Sequence, residues 1–333
     1  YLITKIHVFM YLKDIIRGEL SMNVIFMGTP DFSVGTLEAI IKAGHTVSAV
    51  VTQPDKPKGR GGAMAMSAVK ESALKHGLTV LQPVKASNPE FVEELRTYKP
   101  DVIVVVAFGQ LLPESIIDMP KYGCINVHAS LLPKYRGAAP IQWAVIDGCE
   151  YSGVTTMQMN EGLDTGDILL TKKVKLAPKE TGGSLFDRLS EVGAELLVDT
   201  LKEAEAGTLK PQAQDDSQST YVKMINKSFG EIDFNEPAEK IERLIRGLNP
   251  WPSAFTHHNG KMLKLWDADV CNDTDSSAKA GTVTQVDKDT FIIKCGNKSL
   301  KINELQLEGK KRMDSASFLR GNGIKTGEKL GIH

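Results

Sequence analysis

A chain of 333 residues, 41% hydrophobic and 24% charged, has the composition of an ordinary globular protein and the length of two domains rather than one. A formal net charge of −1 excludes a global field for polyanions, so any nucleic-acid surface has to be local. Four cysteines (Cys124, Cys149, Cys271, Cys295) form no CxxC pair and have no histidine at ligand spacing, which argues against a metal site or disulfide framework and for a reducing cytoplasm.

The first 21 residues hold a short apolar patch broken by Lys5, Lys13, Asp14 and Arg17, which is not the pattern of a signal peptide. No stretch approaches the roughly 18 apolar residues of a membrane span. Met22 directly precedes the first strong strand, so residues 1–21 read as an extension outside the fold. "NVIFMG" from Asn23 is that strand. "SVGTLEAIIKAG" then puts Val34, Leu37, Ile40 and Ile41 on one helical face. "TVSAVVTQ" is a second strand. "DVIVVVAFG" (101–109) is apolar on both faces, as in the middle of a parallel sheet. "CINVH" and "SGVTTMQM" are two more strands, followed by a long amphipathic helix that ends at Gly207. This alternation predicts a doubly wound, mostly parallel α/β sheet over residues 22–207.

Residues 208–222, "TLKPQAQDDSQSTYV", are polar and aperiodic and read as a linker. Beyond them a helix from Ala238 to Arg246 precedes "LNPWPSAF". Short alternating segments with turn signals about every ten residues then predict a small β-barrel over 223–333. From Thr220 onward the chain carries 18 Lys+Arg against 15 Asp+Glu, so this part is mildly basic and the remainder mildly acidic.

Ligands of open parallel sheets sit at the carboxyl ends of the strands. Asn126 and His128 lie there, at the end of "CINVH", and strand alternation puts both on one face. Asp164 sits in the Gly-bounded loop "MNEGLDTGD" after another strand. An amide, an imidazole and a carboxylate brought together suit acyl chemistry: two donors for an oxyanion and a group to hold the ring. Taken singly, a residue of these types at a strand end or Gly-bounded turn is more often a turn former or a satisfied polar group. "GTPDFSVG" after the first strand is not GxGxxG, and Asp55 alone is weak support for a nicotinamide site. "GRGG" (59–62) lacks the GK[ST] of a P-loop.

"NVIFMGTPDFSV", "VVTQPDKPKGRGG", "VVAFGQLLP", "INVHASLLPKYRGAAPIQWA", "GLDTGDIL" and "IRGLNPWPSAF" resemble, in that order, the methionyl-tRNA formyltransferases, from about Met22 to the C-terminus. The resemblance implies a Rossmann-like formyltransferase domain followed by an OB-like barrel. It also implies 10-formyltetrahydrofolate as donor substrate, no metal, and initiator methionyl-tRNA as acceptor, with no obligate protein partner. It assigns catalysis to Asn126, His128 and Asp164. Folate binding falls on Ser130, Leu131, Leu132 and Pro133, and on Phe108, Gly109, Gln110 and Leu111, the last four through backbone groups. On the tRNA side it points to Lys56, Lys58 and Arg60 in the loop 56–69, which is less basic here than in the family. In the barrel, Lys261, Lys264, Lys310, Lys311 and Arg312 are placed to track phosphates. Two rivals stay open: a folate-dependent formyltransferase for a small amine, which need not carry a barrel, and a non-catalytic tRNA-binding protein.

Overall fold

The structure is a computed structural model and describes residues 21–58, 63–273, 275–321 and 323–331. The expected extension 1–21 therefore lies almost wholly outside the described residues. Two compact units emerge, and neither is continuous in sequence. The first holds the chain up to Arg136 with Gly153–Lys173 and Asp187–Thr220; the second holds Gly137–Ser152, Val174–Phe186 and the chain from Tyr221 onward.

In the first unit β1 (Asn23–Gly28), β2 (Thr46–Val51), β5 (Val80–Leu81), β6 (Val102–Val106) and β7 (Cys124–His128) pair in parallel. β9 (Tyr151–Gln158) joins β7 antiparallel, and β10 (Ile168–Lys175) completes the seven-stranded order β10-β9-β7-β6-β1-β2-β5. β6 is buried at every position, as a central strand covered on both faces must be. A small ribbon of β3 (Lys56–Lys58) and β4 (Ala63–Ala65) stands beside this sheet's loops. Helices α1 (Val34–Lys42), α2 (Ala68–Lys75), α3 (Pro89–Thr97) and α4 (Glu114–Ile117) connect the strands. Two of them start on side-chain caps: Ser67 accepts from Lys70 N, and Asn88 from Glu90 N ahead of Pro89. On α1, Leu37 and Ile40 are buried while Val34 and Ile41 are half-buried, so the apolar face is turned slightly from the one the sequence suggests.

The polar run 208–222 is no free spacer. Gln212 bridges Ile168, Thr220 accepts from Arg136 N (2.8 Å) through its carbonyl, and the Thr220 hydroxyl accepts from Tyr135 N (2.8 Å). The side chains of Gln214 and Asp216 have backbone and guanidinium partners in the same unit, which composition alone does not reveal.

In the second unit α5 (Pro140–Ile146), following the short β8 (Arg136–Gly137), and α7 (Ala238–Gly247) share a core through Ile146, Ile241 and Ile245. Helix α6 (Gly182–Ala206) runs through both units' sequence segments. After β11 (Tyr221–Val222), the strands β12 (Ala254–His258), β13 (Lys261–Cys271), β14 (Val283–Val286), β15 (Phe291–Lys294), β16 (Ser299–Leu307) and β17 (Met313–Asp314) form an antiparallel sheet, with α8 (Ser315–Gly321) behind it. Its order is β12-β13-β16-β15-β14, with β17 on β16. The segment 327–331 joins the two ends: Gly327 N and Leu330 N donate to Val283 O (2.8 Å) and Gly281 O (2.9 Å) beside β14, and Gly331 N to His257 O (3.0 Å) on β12. That closure satisfies both edges and makes the sheet barrel-like. Leu263, Leu265, Phe291, Leu300, Ile302 and Leu305 fill it, all fully buried.

Candidate active site

β6 and β7 are adjacent and parallel, so their carboxyl ends open side by side. Asn126 and His128 share a face of β7, with Asn126 half-buried and His128 only 7% exposed. Among the described residues no partner satisfies the Asn126 amide. His128 is held from both sides of its ring. Nε2 lies 2.9 Å from the Tyr135 carbonyl, which can only accept, so this nitrogen carries a proton. Nδ1 faces Asp164 Oδ1 at 3.7 Å, with side-chain exposures of 8% and 11%.

Asp164 arrives by a tight return. Gly166 passes so close to the end of β9 that a Cβ there would sit 1.7 Å from Gln158 O. Asp164 itself has φ 54°, in the left-handed region, as do Tyr135 (59°) and Ala107 (46°) around the same strand ends. Each such residue costs about 1–2 kcal/mol. The fold holds three of them at the site of interest, the pattern in which local strain accompanies function.

The segment "SLLP" is fixed from beneath. Thr155, opposite His128 on β9, donates to Ser130 O (2.7 Å) and accepts from Leu132 N (3.2 Å), and the Ser130 hydroxyl donates to Lys134 O (2.7 Å). Ser130 and Leu132 are thus buried in the scaffold, and Leu131 and Pro133 are its more exposed members. The loop after β6 behaves alike. Phe108 is in the core, and the Gln110 amide is latched to Ala86 N (2.7 Å) and Pro83 O (3.3 Å). Gly109 stands at φ 84° and Leu111 is exposed, while the Phe108 carbonyl accepts from Thr29 (3.0 Å) and Gln53 (3.2 Å).

Asp55, the residue on which a nucleotide reading rested, serves structure. A hydrogen bond from Lys70 (2.7 Å), with another from Gln82 (2.8 Å), holds its carboxyl below the usual range. Burial pushes the Cys124 thiol up, so it stays protonated at the start of β7.

The expected phosphate-tracking residues fall in two places. Lys56 is exposed on β3, while Arg60 and the side chain of Lys58 lie outside the described residues. In the second unit Lys261, Lys310 and Lys311 are exposed. Arg312 is different: its guanidinium pairs with Glu304 (Nε–Oε2 2.9 Å) and lies 4.9 Å over the Trp266 ring, with Lys264 at 5.7 Å. The side chains that sequence reasoning missed are Thr155, Gln214 and Thr220, which belong to no motif: Thr155 and Thr220 bond backbone groups, and Gln214 bonds backbone carbonyls and the distant Arg136 guanidinium. The backbone carbonyl of Tyr135 was equally invisible.

A mostly parallel sheet with an amide, an imidazole and a carboxylate at its carboxyl end, followed by an antiparallel unit, carries the groups that acyl transfer uses. The family profile described as "Formyl transferase" matches residues 22–201, and "Formyl transferase, C-terminal domain" matches 224–323. The methionyl-tRNA formyltransferase of Lachnospira eligens is 69% identical over 93% of this chain and all of its own length; that of Agathobacter rectalis is 59% identical over 92% and 98%. The chain belongs to the methionyl-tRNA formyltransferase family. In fold it is also similar to an N-formyltransferase from Helicobacter canadensis solved with folinic acid and dTDP-3-aminofucose (TM-score 0.63, 18% identity, 88% of this chain and 100% of that one). HypX from Aquifex aeolicus in complex with tetrahydrofolic acid gives TM-score 0.62 at 17% identity over 94% of this chain and 51% of its own. These two likenesses show the fold alone, and the family assignment rests on the profile matches and on sequence identity.

Proposed function

We propose that Asn126, His128 and Asp164 are the catalytic set with which this enzyme moves the formyl group of 10-formyltetrahydrofolate to the α-amino group of initiator methionyl-tRNA. The observation that carries the assignment is the buried His128–Asp164 pair at the carboxyl end of β7, 3.7 Å apart. The donor is a formyl amide on an aniline-type nitrogen. Attack by the neutral amine builds a tetrahedral centre bearing an oxyanion. The Asn126 amide donates to it, and so does the Nδ1–H of protonated His128, each donor contributing about 3–4 kcal/mol in comparable sites. With Nε2–H committed to Tyr135, Nδ1 is the working nitrogen. Its separation from Asp164 exceeds a direct hydrogen bond, so Nδ1–H is left for the oxyanion while the carboxylate balances the imidazolium. Asp164 also accepts the proton released by the amine, through water. Collapse breaks the bond from the formyl carbon to the folate nitrogen, and the proton taken up by Asp164 passes back through the water to that departing nitrogen.

Folate is bound against Leu131, Pro133, Leu111 and the backbone of 107–111. Ser130, Leu132, Phe108 and Gln110 shape that wall from behind. Residues 223–333, with Lys261, Lys310, Lys311 and Arg312, and the loop of Lys56, Lys58 and Arg60 meet the tRNA phosphates. No helix among the described residues is long and apolar enough to cross a membrane, and the setting proposed for the reaction is the cytoplasm.

The test is kinetic. Asn126→Ala and His128→Ala each lower turnover by about 10²–10³-fold, the first with little change in melting temperature. Asp164→Asn does so with folate affinity, by calorimetry, nearly unchanged. Full turnover in folded Asn126→Ala or His128→Ala sinks the mechanism, and collapsed folate affinity in Asp164→Asn makes that residue a binding group instead. The same assay run with small amines settles the acceptor class.

A further inference from the structure

Gln214 is the one inward-turned residue of the stretch 210–218, half-buried among exposed neighbours. Its Nε2 donates to two carbonyls of the loop that carries the catalytic carboxylate: Asp164 O at 2.9 Å and Gly166 O at 2.7 Å. Its Oε1 accepts from Arg136, from Nε at 3.0 Å and from Nη2 at 2.8 Å. All four hydrogen-bonding positions of the amide are in use. Arg136 is 2% exposed and anchored by Asp216 at 2.7 Å. It directly follows Tyr135, whose carbonyl holds His128 Nε2 and whose N–H donates to the Thr220 hydroxyl. One polar stretch, 214–220, therefore grips the support of the histidine and the loop of the aspartate together.

From this geometry we infer that Gln214 is a positioning residue for formyl transfer, acting through Asp164. The inference rests on the role proposed above for that carboxylate. Asp164 sits at positive φ, a backbone state that a short polar residue holds only when its surroundings fix it. The two bonds from Gln214 fix the peptide oxygens on either side of Thr165 and so set where the carboxylate points. A residue that only stabilised the fold would change melting temperature and leave the ratio of turnover to binding alone.

Gln214→Glu and Gln214→Met separate the two cases. Glu keeps the size and the acceptor for Arg136 but loses both donors; Met keeps length and loses everything polar. Both are expected to lower kcat by about 10- to 100-fold, the cost of misplacing a reacting group by about an ångström. KM for the folate and for methionyl-tRNA should stay within about twofold. In the Asp164→Asn background, adding Gln214→Glu should change kcat by less than about twofold, because the residue acts through a group already disabled. Unchanged kcat in folded Gln214→Glu beside an impaired Asp164→Asn overturns the inference alone. Multiplying effects in the double variant overturn it too, since Gln214 then acts by another route. A fully active Asp164→Asn overturns the role of the carboxylate and this inference with it. If Gln214→Met does not fold, Gln214→Glu decides.

Discussion

The polar residues of the two units live under opposite conditions. Around β7 most of them are drawn inward and held by one another: buried Arg136 is bonded to half-buried Gln214 and to exposed Asp216, Gln214 to the Asp164 loop, and His128 is bonded to the Tyr135 carbonyl and faces Asp164. On the barrel the residues expected to meet a polyanion stand in solvent, and the one that is tied down, Arg312, is tied to a carboxylate. The difference follows from what each surface does. Orienting a few atoms of a small substrate needs groups fixed by their neighbours, whereas long-range attraction of phosphates needs only uncancelled charge. Substitutions should be sharp and local in the first region, graded and salt-dependent in the second.

The largest effect tests the first region by cutting it. A chain ending at Lys210 keeps Asn126, "SLLP" and Asp164, and on sequence alone it promises an intact folate site. In the structure it strips a buried arginine of its bonds to Gln214 and Asp216, and hydrogen bonds to a charged group are worth about 1.5–3 kcal/mol. It also removes the partners of Ile146 in the second core. Against a total stability of about 5–15 kcal/mol this is decisive. We expect no cooperative melt by circular dichroism and no folate binding by calorimetry. A folded, folate-binding fragment would remove the contrast.

The barrel's charges come next. Lys310→Ala with Lys311→Ala should flatten the dependence of log affinity for tRNA on log salt by about 0.7–0.9 for each phosphate that is no longer neutralised, leaving folate affinity unchanged. Arg312→Ala should flatten it less, because Glu304 already offsets its charge. An equal or larger change for Arg312 would mean that the Glu304 pair opens on binding.

The smallest effect is on stability against pH, at His45. Burial disfavours the imidazolium and lowers the folded-state pKa below the ordinary 6.5, and Met22 N donates to Nδ1 at 3.3 Å, which needs that nitrogen unprotonated. The fold binds fewer protons here than the unfolded chain. The contribution is therefore complete above pH 6.5 and is lost as the pH falls toward the folded-state value. Between about pH 7.5 and 5 the native protein should lose more melting temperature than His45→Asn does. Parallel curves would assign the acid sensitivity elsewhere.

Much of this molecule was legible in its residues. The apolar runs fixed β1, β6 and β7, the two-residue spacing of Asn126 and His128 placed them on one face, and the motif order pointed to the formyltransferases. What was misread had no local signature. The stretch 208–222 looks like a spacer because polar side chains that bond a distant loop have the same composition as those that bond water. α5 reads as a continuation of the α/β domain, yet Ile146 packs in the other core.

Sequence by itself determined the strand and helix periods and the strand order's broad class, and it marked the groups proposed to react, since these depend on neighbours two to seven residues away. Only the tertiary structure decided how those groups are aimed. Gln214 lies 50 residues beyond Asp164 and 78 beyond Arg136, and nothing in either neighbourhood marks the others. Hydrogen bonds across such distances form only after the sheet has brought its loops to one end, so their donors and acceptors carry no pattern in the chain.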